Sequence, residues 1–169
     1  MTVSASLQDL MVNDLKDIYN AEHMALRAYP RMVQAVRHPE LKEAMQLHLE
    51  QTQDQVERLD EIFAKLGQSN DGEASAAMHG LIEEAEELLQ PERQTEVRDV
   101  ALLAAAQKIA HYEIAGYGTV ITYAEQLGRE DVAETLKKTL HEEKQNDKTL
   151  SKLAEDVINL DTREHKPRR

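Results

Sequence analysis

Apolar residues recur at spacings of three and four along most of the chain, a period that predicts helices throughout. From about Leu7 to Val36 the row is Leu7, Met11, Leu15, Ile18, Ala25, Tyr29 and Val33, a core-facing stripe. Arg37-His38-Pro39 ends it, because the residue before a proline is pushed out of the helical region, and Pro39 suits the first turn of the next helix. That helix continues to about Leu66 on Met45, Leu49, Val56, Leu59 and Phe63, with Gly67 as its stop. After a polar loop, a short amphipathic helix spans about Ser75 to Leu89. Beyond Pro91, two more long helices are expected, roughly Glu92 to Leu127 and Asp131 to Leu160, parted by Gly128.

Loop lengths then set the topology. The first and last turns are short, so each pair of long helices forms an antiparallel hairpin. The middle connection is long and carries its own helix, enough to cross the length of the bundle. Two hairpins joined by a long crossover make a ferritin-like arrangement, whereas an up-down-up-down bundle needs three short loops. The expected fold is all-α: a ferritin-like four-helix bundle with a short crossover helix. It forms one domain over residues 1–161, followed by a flexible basic tail over 162–169.

Composition narrows the partners. A hydrophobic fraction of 41% in 169 residues suits one globular core, and a formal net charge of −12 argues against nucleic acid or an anionic membrane as partner. Cysteine is absent, which excludes disulfides, thiolate metal sites and thiol catalysis. The start, Met1-Thr2-Val3-Ser4, opens no apolar signal segment, and no apolar run reaches the roughly 20 residues that span a bilayer. The expected location is the cytoplasm.

The informative positions are the polar residues that interrupt apolar rows. Glu22 stands among Leu15, Ile18, Ala25, Tyr29 and Met32, and Glu113 among Leu103, Ala106, Ala110, Tyr117, Val120 and Ala124. Glu143 and Asp147 occupy the middle of the last row, between Leu140 and Leu150. Reflecting Glu113 through the turn at Gly128/Arg129 sets it level with position 144, between that pair. The same reflection sets Glu22 opposite Gln55, with His48 and Thr52 on the same inward arc, while Glu50, Asp54 and Glu57 point away as a solvated face. Inward carboxylates on facing helices are how ferritin-like bundles hold metal. Oxygen ligands from Glu22, Glu113, Glu143 and Asp147, with His48, suit Fe(II), Mn(II) or Mg(II) better than a soft metal, with iron or manganese the expected ion, and no organic cofactor is implied.

Burial of a carboxylate also has a non-metal solution, pairing within the protein. Lys108, His111 and the hydroxyls of Tyr19, Tyr112, Tyr117 or Tyr123 are the available partners, and such a polar layer would only fix helix register. His111 reads as a hydrogen-bonded core histidine, and Glu142 as a solvated neighbour of Glu143. Gly116-Tyr117-Gly118 inside a strong helix suggests close approach of the crossover helix or of a second subunit, since each Gly costs about 1 kcal/mol relative to Ala.

Several segments resemble the YciE/YciF family of bacterial ferritin-like stress proteins: Asp17-Ile18-Tyr19 through Glu22, HLEQTQDQVERL from His48, AMHGLIEEAEELL from Ala77, EVRDVALLAAAQKIAHYEIAGYGT from Glu96 and LHEEKQNDKTL from Leu140. The resemblance implies a ferritin-like bundle, a homodimer, and a link to stress without an established enzymatic activity. Carried over by position, the family's inward residues match Glu22, His48, Glu113, Glu143 and Asp147, while Gln51 and Ala110 stand where the family usually has acid. The reading that follows is a metal-binding stress protein with Tyr19, Gln55 and His111 supporting the ligands, able to oxidise Fe(II) or remove peroxide if redox active. The alternative is a non-catalytic dimeric interaction module.

Overall fold

The computed structural model describes residues 6–90 and 97–155. It contains helices α1 (Leu7–Ala35), α2 (Pro39–Leu66), α3 (Ala76–Glu87), α4 (Arg98–Gln126) and α5 (Glu130–Leu153), with no strand among the described residues. These are the expected helices to within a few residues. The expected break at Pro91, the start at Glu92, the end at Leu160 and the basic tail lie outside the described residues.

Local chemistry accounts for the ends. The Ser6 hydroxyl accepts from the Asp9 N–H and caps α1, Pro39 opens α2, and Gly67 closes it at φ 62°, a left-handed conformation that a Cβ disfavours. Pro30 stands inside α1 with no N–H to offer, yet the helix continues, because Tyr29 before it and Met32 and Val33 beyond it are buried in the core.

α1 packs on α2 and α4, and α5 packs on α4 and α2, closing a four-helix ring with α3 laid along α1 and α4. α4 begins where α1 ends. The Asp99 carboxylate accepts from the backbone N–H groups of Arg37 and His38 at 2.9 and 2.6 Å, and the Arg98 guanidinium donates to the Ala35 carbonyl at 2.9 Å. The α1–α2 turn is thereby tied to the start of α4, which makes α4 antiparallel to α1 and gives the up-down-down-up order of a ferritin-like bundle. The close approach at Gly116 is to α1 rather than to the crossover helix. A Cβ there would lie 3.1 Å from Ile18 Cγ1 and 3.3 Å from its Cδ1.

The apolar core has two halves. One is built around Tyr29, Met32, Leu41, Met45, Leu102 and Ile109, the other around Met11, Leu15, Leu59, Phe63, Val120 and Leu136. The buried polar residues Glu22, His48, Gln55, Glu113 and Glu143 belong to neither half.

Candidate metal centre

Each long helix sends an ionisable side chain into this layer: Glu22 from α1, His48 from α2, Glu113 from α4 and Glu143 from α5, all at most 1% exposed. Each interrupts its helix's apolar row, so the packing that buries the row carries it inward. His48 Nε2 lies 3.9 Å from Glu113 Oε2, and His48 Nδ1 lies 3.7 Å from Glu143 Oε2. One ligand atom from each of these three residues falls within 4.8 Å of the other two, close enough to converge on one ion. Around them, Tyr117 donates to Glu22 Oε1 at 2.5 Å and Gln55 Nε2 donates to Glu143 Oε1 at 2.7 Å. The Tyr29 ring packs on the His48 imidazole with centroids 4.8 Å apart.

The layer is under-supplied with donors. Glu22 Oε2, both oxygens of Glu113, Glu143 Oε2 and both ring nitrogens of His48 are buried with no hydrogen-bond partner. Without a cation, such carboxyls are stabilised only by keeping protons. Burial, then the charge of Glu143, pushes Glu22 up to about 8, with the Tyr117 hydrogen bond pulling the other way. Glu113 is raised well above the usual carboxylate range by burial, by the charges of Glu22 and Glu143, and by a proton it can share with Glu143. Burial and the same carboxylates raise the Tyr29 and Tyr117 phenols.

Three of the five expected ligands, His48, Glu113 and Glu143, therefore meet; Glu22 is buried in the same layer outside that group of three, and Asp147 points elsewhere. Asp147 lies on the α4 side of α5, where its carboxylate accepts from Gln107 Nε2 at 3.2 Å, and the buried position one turn beyond Glu143 is Asn146. The spacing explains the difference. The buried series on α5 runs Glu143, Asn146, Leu150, Leu153, so the stripe steps three, four and three and passes by Asp147. His111 is no core histidine: its side chain is 63% exposed and its Nε2 faces Asp147 at 3.7 Å. Tyr19 stacks edge-on against His23 and Phe63, and Lys108 pairs with Glu84 on the surface, so neither touches the cluster. Gln55 is buried as its place on the inward arc implies, and its amide bonds Glu143 of α5 rather than Glu22, which reflection sets opposite it.

Two features were missed. Tyr29 was read only as a row member, although a tyrosine in a buried row has a hydroxyl to place. The bonds of Arg58 to Glu142, 2.7 and 2.8 Å long, show Glu142 to be a paired residue rather than a solvated one. Nothing in the sequence reports that register between α2 and α5.

The fold and this cluster define a ferritin-like bundle with a histidine–carboxylate centre that could hold a metal ion. Residues 6–163 match the family described as a domain of unknown function, DUF892, and the chain belongs to that family. It is 43% identical to protein YciF of Escherichia coli over 157 residues, spanning 91% of this chain and 93% of that protein. The crystal structure of the E. coli stress protein YciF superposes with a TM-score of 0.87 at 42% identity, over 92% of this chain and 98% of that one. A Rhodopseudomonas palustris protein named YcfI gives 0.82 at 40% identity over 89% and 96%. A Xanthomonas campestris protein gives 0.73 at 21% over 94% and 97%, a likeness of fold alone.

Proposed function

We propose that the protein binds one or more iron or manganese ions through Glu22, His48, Glu113 and Glu143 and acts in a stress response. The observation that carries this reading is the convergence of His48, Glu113 and Glu143 from three helices, with buried carboxylate oxygens and imidazole nitrogens, and Glu22 Oε2 from a fourth, that have no hydrogen-bond partner. A register-fixing layer is stabilised by mutual hydrogen bonds, and beyond a proton that Glu113 can share with Glu143 these atoms have none. One imidazole among carboxylates suits iron or manganese better than a soft metal. A bound ion would supply Lewis-acid and one-electron redox chemistry in a site closed to bulk water. Tyr117 would orient Glu22 and Gln55 would orient Glu143, each occupying one oxygen and leaving the other for the ion. The stress setting and a homodimeric state rest on the family resemblance. No helix among the described residues is long and apolar enough to cross a membrane.

Elemental analysis after anaerobic loading with Fe(II) or Mn(II) tests this. The expected result is about one ion or more per chain, with affinity falling by more than about two orders of magnitude in Glu113→Gln, beyond the effect of changing a supporting residue. A wild-type protein that stays empty while Glu113→Leu melts higher would establish the register reading instead, since replacing a buried charge by a packed apolar group then stabilises.

A further inference from the structure

We infer that divalent cations reach the buried cluster between α2 and α5, with Glu142 as the outer docking carboxylate, Gln55 as the relay and Arg58 as the latch. This inference rests on the metal-binding reading above. The four ligands are sealed from solvent, so an ion needs polar groups along its way in, and one hydrogen-bonded chain runs from the surface to a ligand. Glu142 is 17% exposed and Arg58 13%. The amide nitrogen of Gln55 stands between Glu142 Oε2 at 3.3 Å and Glu143 Oε1 at 2.7 Å, one carboxylate at the rim and one in the cluster.

Gln55 suits a relay because its amide oxygen is buried and has no partner. Rotation about the last torsion exchanges donor for acceptor, so the same side chain that now bridges two carboxylates can offer an oxygen to a cation passing between them. Arg58 holds the route shut. Its guanidinium grips both oxygens of Glu142 at 2.7 and 2.8 Å and the Thr139 hydroxyl at 2.8 Å, placing a positive charge and a packed stem where the ion must pass. An arriving cation competes with that guanidinium for Glu142.

The other polar rims lead elsewhere. On the α4–α5 side, Gln107 spends its amide on Asp147 at 3.2 Å and Ser151 at 2.9 Å, away from the cluster. On the α3 side, Tyr112, Ser75 and Asp17 bond to one another.

Stopped-flow uptake of Co(II), followed by its visible absorption, tests the route in the full-length protein. Glu142→Gln is expected to slow loading about tenfold, the low end of what a focused charge does for an on-rate, while reaching the same final absorbance. Arg58→Met is expected to load faster than wild type. Glu142→Gln keeps the size of the side chain and a hydrogen bond to Arg58, so it tests the route even if Arg58→Met fails to fold. Wild-type rates in Glu142→Gln, or slowing confined to Asp147→Asn, would overturn the route and leave the metal site standing. A wild-type protein that takes up no Co(II) would overturn the metal-binding reading and the route together.

Discussion

α1 and α4 meet through two acid–tyrosine pairs with the same chemistry and different outcomes. Asp17 accepts from Tyr112, and the Ser75 hydroxyl completes the group with 2.8 and 3.3 Å contacts to Tyr112 and Asp17. Glu22 accepts from Tyr117 at 2.5 Å, but its second oxygen is buried with nothing to bond. The first pair is half-buried and ties α3 to the bundle at its N-terminus. The second lies wholly inside, beside three other ionisable groups. A tyrosine hydroxyl satisfies one carboxylate oxygen; what meets the other decides whether the pair is a fastening or part of a ligand set.

The largest test of that difference is pH. A carboxyl whose pKa is higher folded than unfolded holds its proton longer in the native state. Its contribution is therefore fully present below about pH 4.5 and is lost as pH rises toward about 8, the value for Glu22. Glu113 acts in the same direction. The metal-free protein should lose stability by about several kcal/mol between these limits, seen as a falling urea midpoint, and Glu22→Gln should flatten the fall. Bound metal should reverse the trend, because carboxylates must shed their protons to coordinate. A metal-free midpoint that rises across this range would show that the interior pair is satisfied after all.

Next in size is the contrast between the two hydroxyl deletions. Tyr117→Phe leaves Glu22 with neither oxygen paired, and its metal affinity should drop about 10- to 100-fold by titration. Tyr112→Phe should leave metal stoichiometry and affinity unchanged and cost about 1 kcal/mol in the unfolding midpoint. Equal effects of the two on metal affinity would erase the distinction drawn here.

How much of this could be read in the sequence follows the same line. The helices, the crossover and the inward turn of Glu22, His48, Glu113 and Glu143 are properties of rows within single helices, which the period of the helix exposes. Asp147 was misplaced because a residue three or four positions from Glu143 can share its face, and only the drift of the stripe selects Asn146. Pairings between helices, such as Arg58 with Glu142 or Arg98 with Ala35, depend on axial register to within a turn. Reflection through a short turn gives that register within a hairpin. It gives nothing across the crossover, and α2–α5 and α1–α4 are the two contacts the crossover sets. The glycine pair illustrates this: its oddity in a helix was visible, its partner on α1 was not.

That partner supplies the smallest and most local test. Gly116 lies on α4 between Tyr112 and Tyr117 and faces Ile18, which lies on α1 between Asp17 and Glu22, so the close approach there brings both pairs within reach. An added Cβ in Gly116→Ala gains about 1 kcal/mol of helix propensity but must displace Ile18, itself buried, so overpacking of about 1–3 kcal/mol should leave the variant neutral or destabilised. Gly118, two residues on, has no atom within 4 Å of an added Cβ, and Gly118→Ala should raise the unfolding midpoint by about 0.5–1 kcal/mol. If the α1–α4 spacing sets both acid–tyrosine pairs, Gly116→Ala should also weaken metal binding while Gly118→Ala does not. Equal stabilisation by the two alanines would mean that the spacing is set elsewhere, and that the tyrosines reach their acids without help from the glycine.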